Sequence, residues 1–147
     1  MNDKYVFDTS ALLTYIKDEE GAETIADLLG KALDGEISIF ISIITALEFF
    51  SASVKKEGWA VAKERLELME DLPLTQEPLI PDLRKTIGEM QFKIIDEMTA
   101  VKRLPFADSC IAGLAKSKNA ILVHKDRHFQ SVEDEIEQLP LPYHEYV

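Results

Sequence analysis

The stretch "KYVFDTSALLTYI", residues 4–16, decides the fold. Tyr5-Val6-Phe7 is an apolar, strand-like run that stops at a carboxylate, Asp8. Thr9 and Ser10 follow, and then Ala11-Leu12-Leu13 and Tyr15-Ile16 fall at helical spacing. A buried strand that ends on an acid and turns at once into a helix allows two readings. Asp8 caps the helix through its side-chain oxygen, or it is one wall of a charged site.

Working outward, the chain keeps alternating between the two periodicities. Helices are expected over 9–17 and 21–34, the second carrying Ile25, Leu28, Leu29 and Leu33 on one face. Asp34-Gly35 marks a stop. "ISIFISI", 37–43, is apolar at nearly every position, as in a central strand covered on both faces. Helices should follow over about 44–57 and 59–71, separated by Gly58. "LPLTQEP", 72–78, suggests a short strand, and 80–101 one long helix. Pro105 suits a first helical turn, with the helix continuing to about Lys118. "AILVH", 120–124, is another buried-type strand, and a last short strand is expected near Tyr143.

Strands separated by helices pair in parallel through right-handed crossovers. The expected fold is therefore α/β, a three-layer α/β/α sandwich around a central, mainly parallel sheet of four or five strands. One domain should span residues 1–147, a length that can bury a real core. A hydrophobic fraction of 46% argues against disorder. No apolar run approaches the roughly 18 residues of a membrane span, and the start of the chain lacks the pattern of a secretion signal. Cys110 is the only cysteine, so no internal disulfide can form and a reducing cytoplasm is the expected compartment. The net charge of −11 is poor for a nonspecific nucleic-acid coat. It is compatible with a site whose acids are neutralised by metal ions, and with a basic protein partner.

In open parallel sheets, ligands gather outside the carboxyl ends of the strands. Asp8 ends the first strand, Glu48 lies early in the helix after the second, and Asp126 follows "AILVH" by two residues. Asp108, in the first turn of the helix near Pro105, can reach them. Each has a bland reading when taken singly. Asp8 and Asp126 fit caps, Asp108 suits a helix dipole, and Thr45-Ala46-Leu47-Glu48 fits a capping box. Taken together they repel: two like charges 4 Å apart cost about 4 kcal/mol at an effective dielectric of 20. Such a cluster must protonate or bind a cation. Carboxylates with water are hard ligands suited to Mg²⁺ or Mn²⁺. His124, His128 and His144 give no zinc-ligand spacing. Held beside a groove, such an ion points to phosphodiester chemistry, with Thr9 and Ser10 placed to orient a water or a phosphate oxygen.

"FDTSALL", "TALEFF", "LPFADSCIAGLAK" and "ILVHKDRHF", in this order and at these separations, resemble the four acidic motifs of PIN-domain ribonucleases, particularly the VapC-type toxins of toxin–antitoxin pairs. The resemblance covers about residues 4–130. It implies that Asp8, Glu48, Asp108 and Asp126 form an acidic quartet around Mg²⁺ or Mn²⁺. Asp8 and Asp108 would be the principal ligands, with Asp126 bound directly or through water. It further implies a homodimeric endoribonuclease acting on RNA, silenced by an antitoxin whose C-terminal segment fills the groove. Such toxins often carry a hydroxyl residue two positions before the last acid. This chain has His124 there, and packing at the strand end is its default reading. Lys125 and Arg127, which flank Asp126, are expected phosphate contacts, as are Lys102 and Arg103. Asp96 and Glu97 receive no role.

Two other functions compete. A phosphatase-like site using Asp8 as nucleophile lacks the second acid of an Asp-x-Asp pair, since Asp8-Thr9-Ser10 stands there. A catalytically weak scaffold that binds RNA or a partner protein would keep the fold without the chemistry. Trp59, Phe49, Phe50, Phe92 and Met98 suit core or dimer surface better than base stacking. The exposed part of the 44–71 helix pair is the expected dimer or antitoxin interface.

Overall fold

The structure is a computed structural model that describes residues 2–96 and 99–142, with side chains described for all of these except 94–96. In chain order the elements are β1 (Lys4–Phe7), α1 (Thr9–Ile16), α2 (Ala22–Leu33), β2 (Ser38–Ser42), α3 (Ile43–Glu57), α4 (Trp59–Glu70), β3 (Thr75–Glu77), α5 (Arg84–Gln91), β4 (Phe92–Asp96), β5 (Thr99–Lys102), α6 (Phe106–Lys118), β6 (Ile121–His124) and β7 (Gln138–Pro140). Five strands form one sheet in the order β3-β2-β1-β6-β7, and every neighbouring pair is parallel. The expected three-layer sandwich is thus the observed one.

The alternation of side chains along β1 builds both outer layers at once. Phe7 packs with Ile25, Ile39, Ile41 and Phe49 on the side of α1, α2, α3 and α4. Val6 points the other way, to Met90, Ile111, Leu122 and Phe129 beside α5 and α6. β6 repeats the division, with Val123 on the first side and Leu122 on the second. Full burial of side chains this size contributes roughly 1.5–3 kcal/mol each. No helix among the described residues is long and apolar enough to cross a membrane.

One expected element is replaced. Instead of a long helix over 80–101 there is a 3₁₀ turn (Pro81–Leu83), then α5, then an antiparallel β4-β5 hairpin separate from the main sheet. The helix ends at Gln91, whose carbonyl accepts from the N–H groups of Arg103 at 2.7 Å and Leu104 at 3.3 Å. Ile94, Thr99 and Val101 are β-branched, and the antiparallel pairing of their two strands outweighs the helical spacing of the apolar positions. Among the described residues the last strand is β7, ending at Pro140. Tyr143, Glu97, Met98 and the side chain of Asp96 lie outside the described residues.

Phe49 is core, whereas Trp59 is 63% exposed and Phe92 is also exposed. Phe50 is half-buried and meets the Trp59 ring edge-on, with centroids 5.7 Å apart. Leu47 and Leu68 also show apolar surface on the α3–α4 pair.

Candidate active site

Because the sheet is parallel, Phe7, Ser42 and His124 all stand at its carboxyl edge, and the chain leaves each one toward the same side. Asp8 continues β1 by one bond, its N–H donating to the Val123 carbonyl at 3.0 Å, and then caps α1. The Ser10 hydroxyl donates to Asp8 Oδ2 at 2.6 Å and the Ser10 N–H to the same oxygen at 3.3 Å. Ser10 Oγ in turn accepts from the Lys125 N–H at 2.8 Å. Ser10 therefore braces the end of β1 against the loop after β6, and its proton is committed to Asp8.

Asp8 is only 3% exposed. Burial is the main cause that lifts its carboxyl from 3.8 to about 7. The Ser10 hydroxyl opposes the shift, and the negative charge of Asp108 adds to it. Both readings of Asp8 hold together: it caps a helix, and it stands in a negative field.

Glu48 does not close a capping box. Ser42 is the N-cap of α3, accepting from the Ile44 N–H at 3.1 Å, so Thr45 lies inside the helix. Its buried Oγ1 has no hydrogen-bond partner among the described residues. Glu48, freed from a capping role, accepts from the Thr9 hydroxyl at 2.7 Å. That bond ties α3 to the first residue of α1.

Asp108 sits in the first turn of α6, and Asp126 caps the 3₁₀ segment Arg127–Val132 by accepting from the His128 N–H at 2.9 Å. The His128 ring returns to both acids, with Nδ1 at 3.2 Å from Asp108 Oδ2 and 3.4 Å from Asp126 Oδ1. Burial raises the Asp108 carboxyl above its usual range. The charge of Asp126 and, less strongly, that of Glu48 push the same way, while His128 pulls it down. The quartet thus shares one field: Asp8 responds to Asp108, and Asp108 to Asp126 and Glu48.

His124 packs at the strand end. It is 2% exposed, its ring lies 4.9 Å from that of Phe129, and Nδ1 accepts from the Asp126 N–H at 3.1 Å. With Nδ1 accepting, Nε2 carries the proton and donates to Gln138 Oε1 at 2.8 Å. Gln138 completes the chain by donating to the Phe129 carbonyl at 2.8 Å. Burial lowers the pKa of the ring, in keeping with a neutral imidazole. Its work is to hold the Asp126 loop.

The expected basic contacts separate. Lys125 Nζ donates to the Glu20 carbonyl at 2.8 Å, so its ammonium leans toward the α1–α2 loop. Arg127 is exposed on the 3₁₀ segment beside Asp126, and Lys102 is exposed in β5. Arg103 is a brace: its side chain is 15% exposed and pairs with Asp134 and Glu135 while donating to the Ser131 carbonyl.

His128 is the site residue that sequence reasoning missed. Ligand atoms of Asp108, Asp126 and His128 all lie within 4.8 Å of one another. The legible signal was the Asp126-x-His128 spacing ahead of a buried Phe129, which sets the turn and aims the ring back. This donor set suits a divalent cation. The neighbouring negative charges that help raise the Asp8 and Asp108 carboxyls are an unfavourable repulsion, which a bound cation relieves.

The fold is an α/β sandwich with an all-parallel sheet whose carboxyl edge gathers Asp8, Glu48, Asp108 and Asp126. The PIN domain model matches residues 5–135, and the chain belongs to the PIN domain family. Solved structures with the same fold include VapBC2 from Rickettsia felis bound to a promoter DNA fragment, with 18% identity, TM-score 0.73, and 95% of this chain and 99% of that one covered. VapBC-1 from nontypeable Haemophilus influenzae is similar at 18% identity and TM-score 0.68, covering 93% of this chain and 97% of that one. VapC20 from Mycobacterium tuberculosis, described as a sarcin-ricin loop cleaving toxin, shares 11% identity at TM-score 0.62, over 94% of this chain and 99% of that one. No curated protein matches the chain by sequence.

Proposed function

We propose that the chain is a metal-dependent endoribonuclease, the toxin of a type II toxin–antitoxin pair, acting in the cytoplasm. The observation that carries this reading is the shared negative field of Asp8, Glu48, Asp108 and Asp126 at the carboxyl edge of a PIN-family sheet. The presence of VapBC complexes and an RNA-cleaving VapC toxin among proteins of the same fold supports it.

Asp8, Asp108 and Asp126 would hold Mg²⁺ or Mn²⁺, with Glu48 in the surrounding shell. When bound, such an ion activates water and offsets charge on the scissile phosphate. Ser10 fixes the orientation of Asp8, and Thr9 fixes that of Glu48, so neither carboxylate has to be ordered when substrate arrives. Arg127, exposed beside Asp126, supplies positive charge for the phosphates flanking the cleaved bond, and Lys125 joins it only by leaving the Glu20 carbonyl. A basic antitoxin, its C-terminal segment filling the groove, suits the net charge of −11. Homodimerisation is proposed through the apolar surface of Leu47, Trp59 and Leu68 on α3 and α4.

The test is cleavage of a structured RNA mixture by protein freed of any antitoxin, in Mg²⁺ or Mn²⁺, beside EDTA and an Asp8→Asn variant. Cleavage that requires metal and is lost in the variant is the expected result. Metal binding without cleavage of any RNA would favour the scaffold reading instead.

A further inference from the structure

We propose that His128 is a direct metal ligand, and that it gives this acidic site a preference for Mn²⁺ over Mg²⁺. The inference rests on the reading of the strand-end acids as a metal site, and it adds a nitrogen donor to that site. Its basis is the juxtaposition of His128 Nδ1 with Asp108 Oδ2 at 3.2 Å and Asp126 Oδ1 at 3.4 Å.

Three features hold the ring in this place. The His128 N–H donates to Asp126 Oδ1 at 2.9 Å, so the turn that presents the ring is built on one of the two acids. Phe129, the next residue, is fully buried against His124 and anchors that turn. The loop is held again by His124, which accepts from the Asp126 N–H at 3.1 Å. The ring is therefore directed by a fixed backbone, although its own surface is exposed.

The spacing suits coordination. Two adjacent ligands of an octahedral ion with bonds of about 2.1 Å stand about 3.0 Å apart, and opposite ones about 4.2 Å. The observed 3.2 and 3.4 Å match adjacent positions, and all three donors fall within 4.8 Å of one another. In the metal-free chain Nδ1 at these distances donates a proton to the carboxylates. An ion takes the place of that proton, leaving the Nδ1 lone pair and one oxygen from each acid facing a common centre.

Donor chemistry then sets selectivity. Carboxylates and water serve Mg²⁺ and Mn²⁺ alike, whereas an imidazole nitrogen favours the first-row transition ion. Removing the nitrogen should weaken Mn²⁺ and leave Mg²⁺ nearly untouched.

The experiment is calorimetric titration of full-length wild type, His128→Ala, His128→Gln and Asp108→Asn with MnCl₂ and separately with MgCl₂, joined to pulsed EPR of the Mn²⁺-loaded proteins. The expected result for both His128 variants is an Mn²⁺ affinity lower by roughly tenfold or more, with Mg²⁺ affinity within about twofold of wild type. An imidazole nitrogen coupling should be present in wild type and absent from both variants. If Mn²⁺ binds wild type and needs Asp108 but shows no nitrogen coupling, or if both ions weaken equally, the inference is overturned. His128 is then only a hydrogen-bond partner of two acids, and the proposed nuclease site stands. If wild type binds neither ion, the metal reading of the site falls and takes the inference with it.

Discussion

Asp8 shows how one side chain meets conflicting requirements, capping a helix while buried in a negative field. Its oxygen caps α1, a role worth about 1 kcal/mol. Its burial raises the carboxyl from 3.8 to about 7. Between those values the folded chain keeps a proton that the unfolded chain has released. Metal-free stability should therefore fall as pH climbs from about 4 to about 7, and stay low above that. Asp8→Asn keeps an oxygen for the Ser10 bonds and removes the charge. It should stabilise the metal-free protein at pH 8 by up to about 4 kcal/mol, an upper bound at about 1.4 kcal/mol per pH unit. The gain should vanish below about pH 4, and urea unfolding at the two pH values with EDTA present checks both parts. His124 makes the opposite case, a residue whose value is structural. His124→Ala would leave the Asp126 N–H and Gln138 Oε1 without their partner and open a cavity beside Phe129. A loss of about 2–4 kcal/mol is expected in thermal or chemical unfolding.

At the scale of elements, β1-α1 was legible because its apolar pattern changes period at Asp8, where the chain passes from strand to helix. The segment after Gln91 was not, because apolar residues at mixed spacing suit a helix or a hairpin until their partners are known. The tight seat of α5 on α6 is likewise a tertiary fact. A Cβ on Gly113 would come within 2.8 Å of Ile87 Cγ1 and 3.4 Å of Ile87 Cα. Gly113→Ala gains about 1 kcal/mol in helix propensity. The overpacking costs about 1–3 kcal/mol, since the opposing atom is close to the α5 backbone. A net loss of up to about 2 kcal/mol is expected, read as a lower urea midpoint with unchanged slope. Because α6, which α5 holds in place, carries Asp108, the same variant should weaken metal binding as well.

For the whole molecule, the acids impose a destabilising field that cation binding should relieve. At an ion concentration about 100 times the dissociation constant, binding adds about 2.7 kcal/mol to stability. For a chain of 147 residues that corresponds to a rise in Tm of about 5–10 °C. Thermal scans with Mn²⁺ against EDTA should show this rise, and Asp108→Asn should abolish it. The net charge of −11 acts at longer range. It slows approach of a polyanion and favours a basic partner, so association with such a partner should weaken steeply as salt is raised.

The sequence by itself determined the order of strands and helices in β1-α1 and α6-β6, the parallel α/β class, and the four acids at strand ends and helix starts. These follow from local periodicity and from the rule that parallel strands need crossover helices. It also supplied the hydroxyls at Thr9 and Ser10, though not their partners. Only the tertiary structure decided that Ser42 rather than Thr45 caps α3, that Glu48 answers to Thr9, and that Arg103 is spent on Asp134 and Glu135. Only the tertiary structure turned His128 toward Asp108, a residue 20 positions away in the chain. The physical reason is the same in each case. A cap, an ion pair or a donor cluster is a choice among partners, and partners are fixed by which elements the core has already brought together.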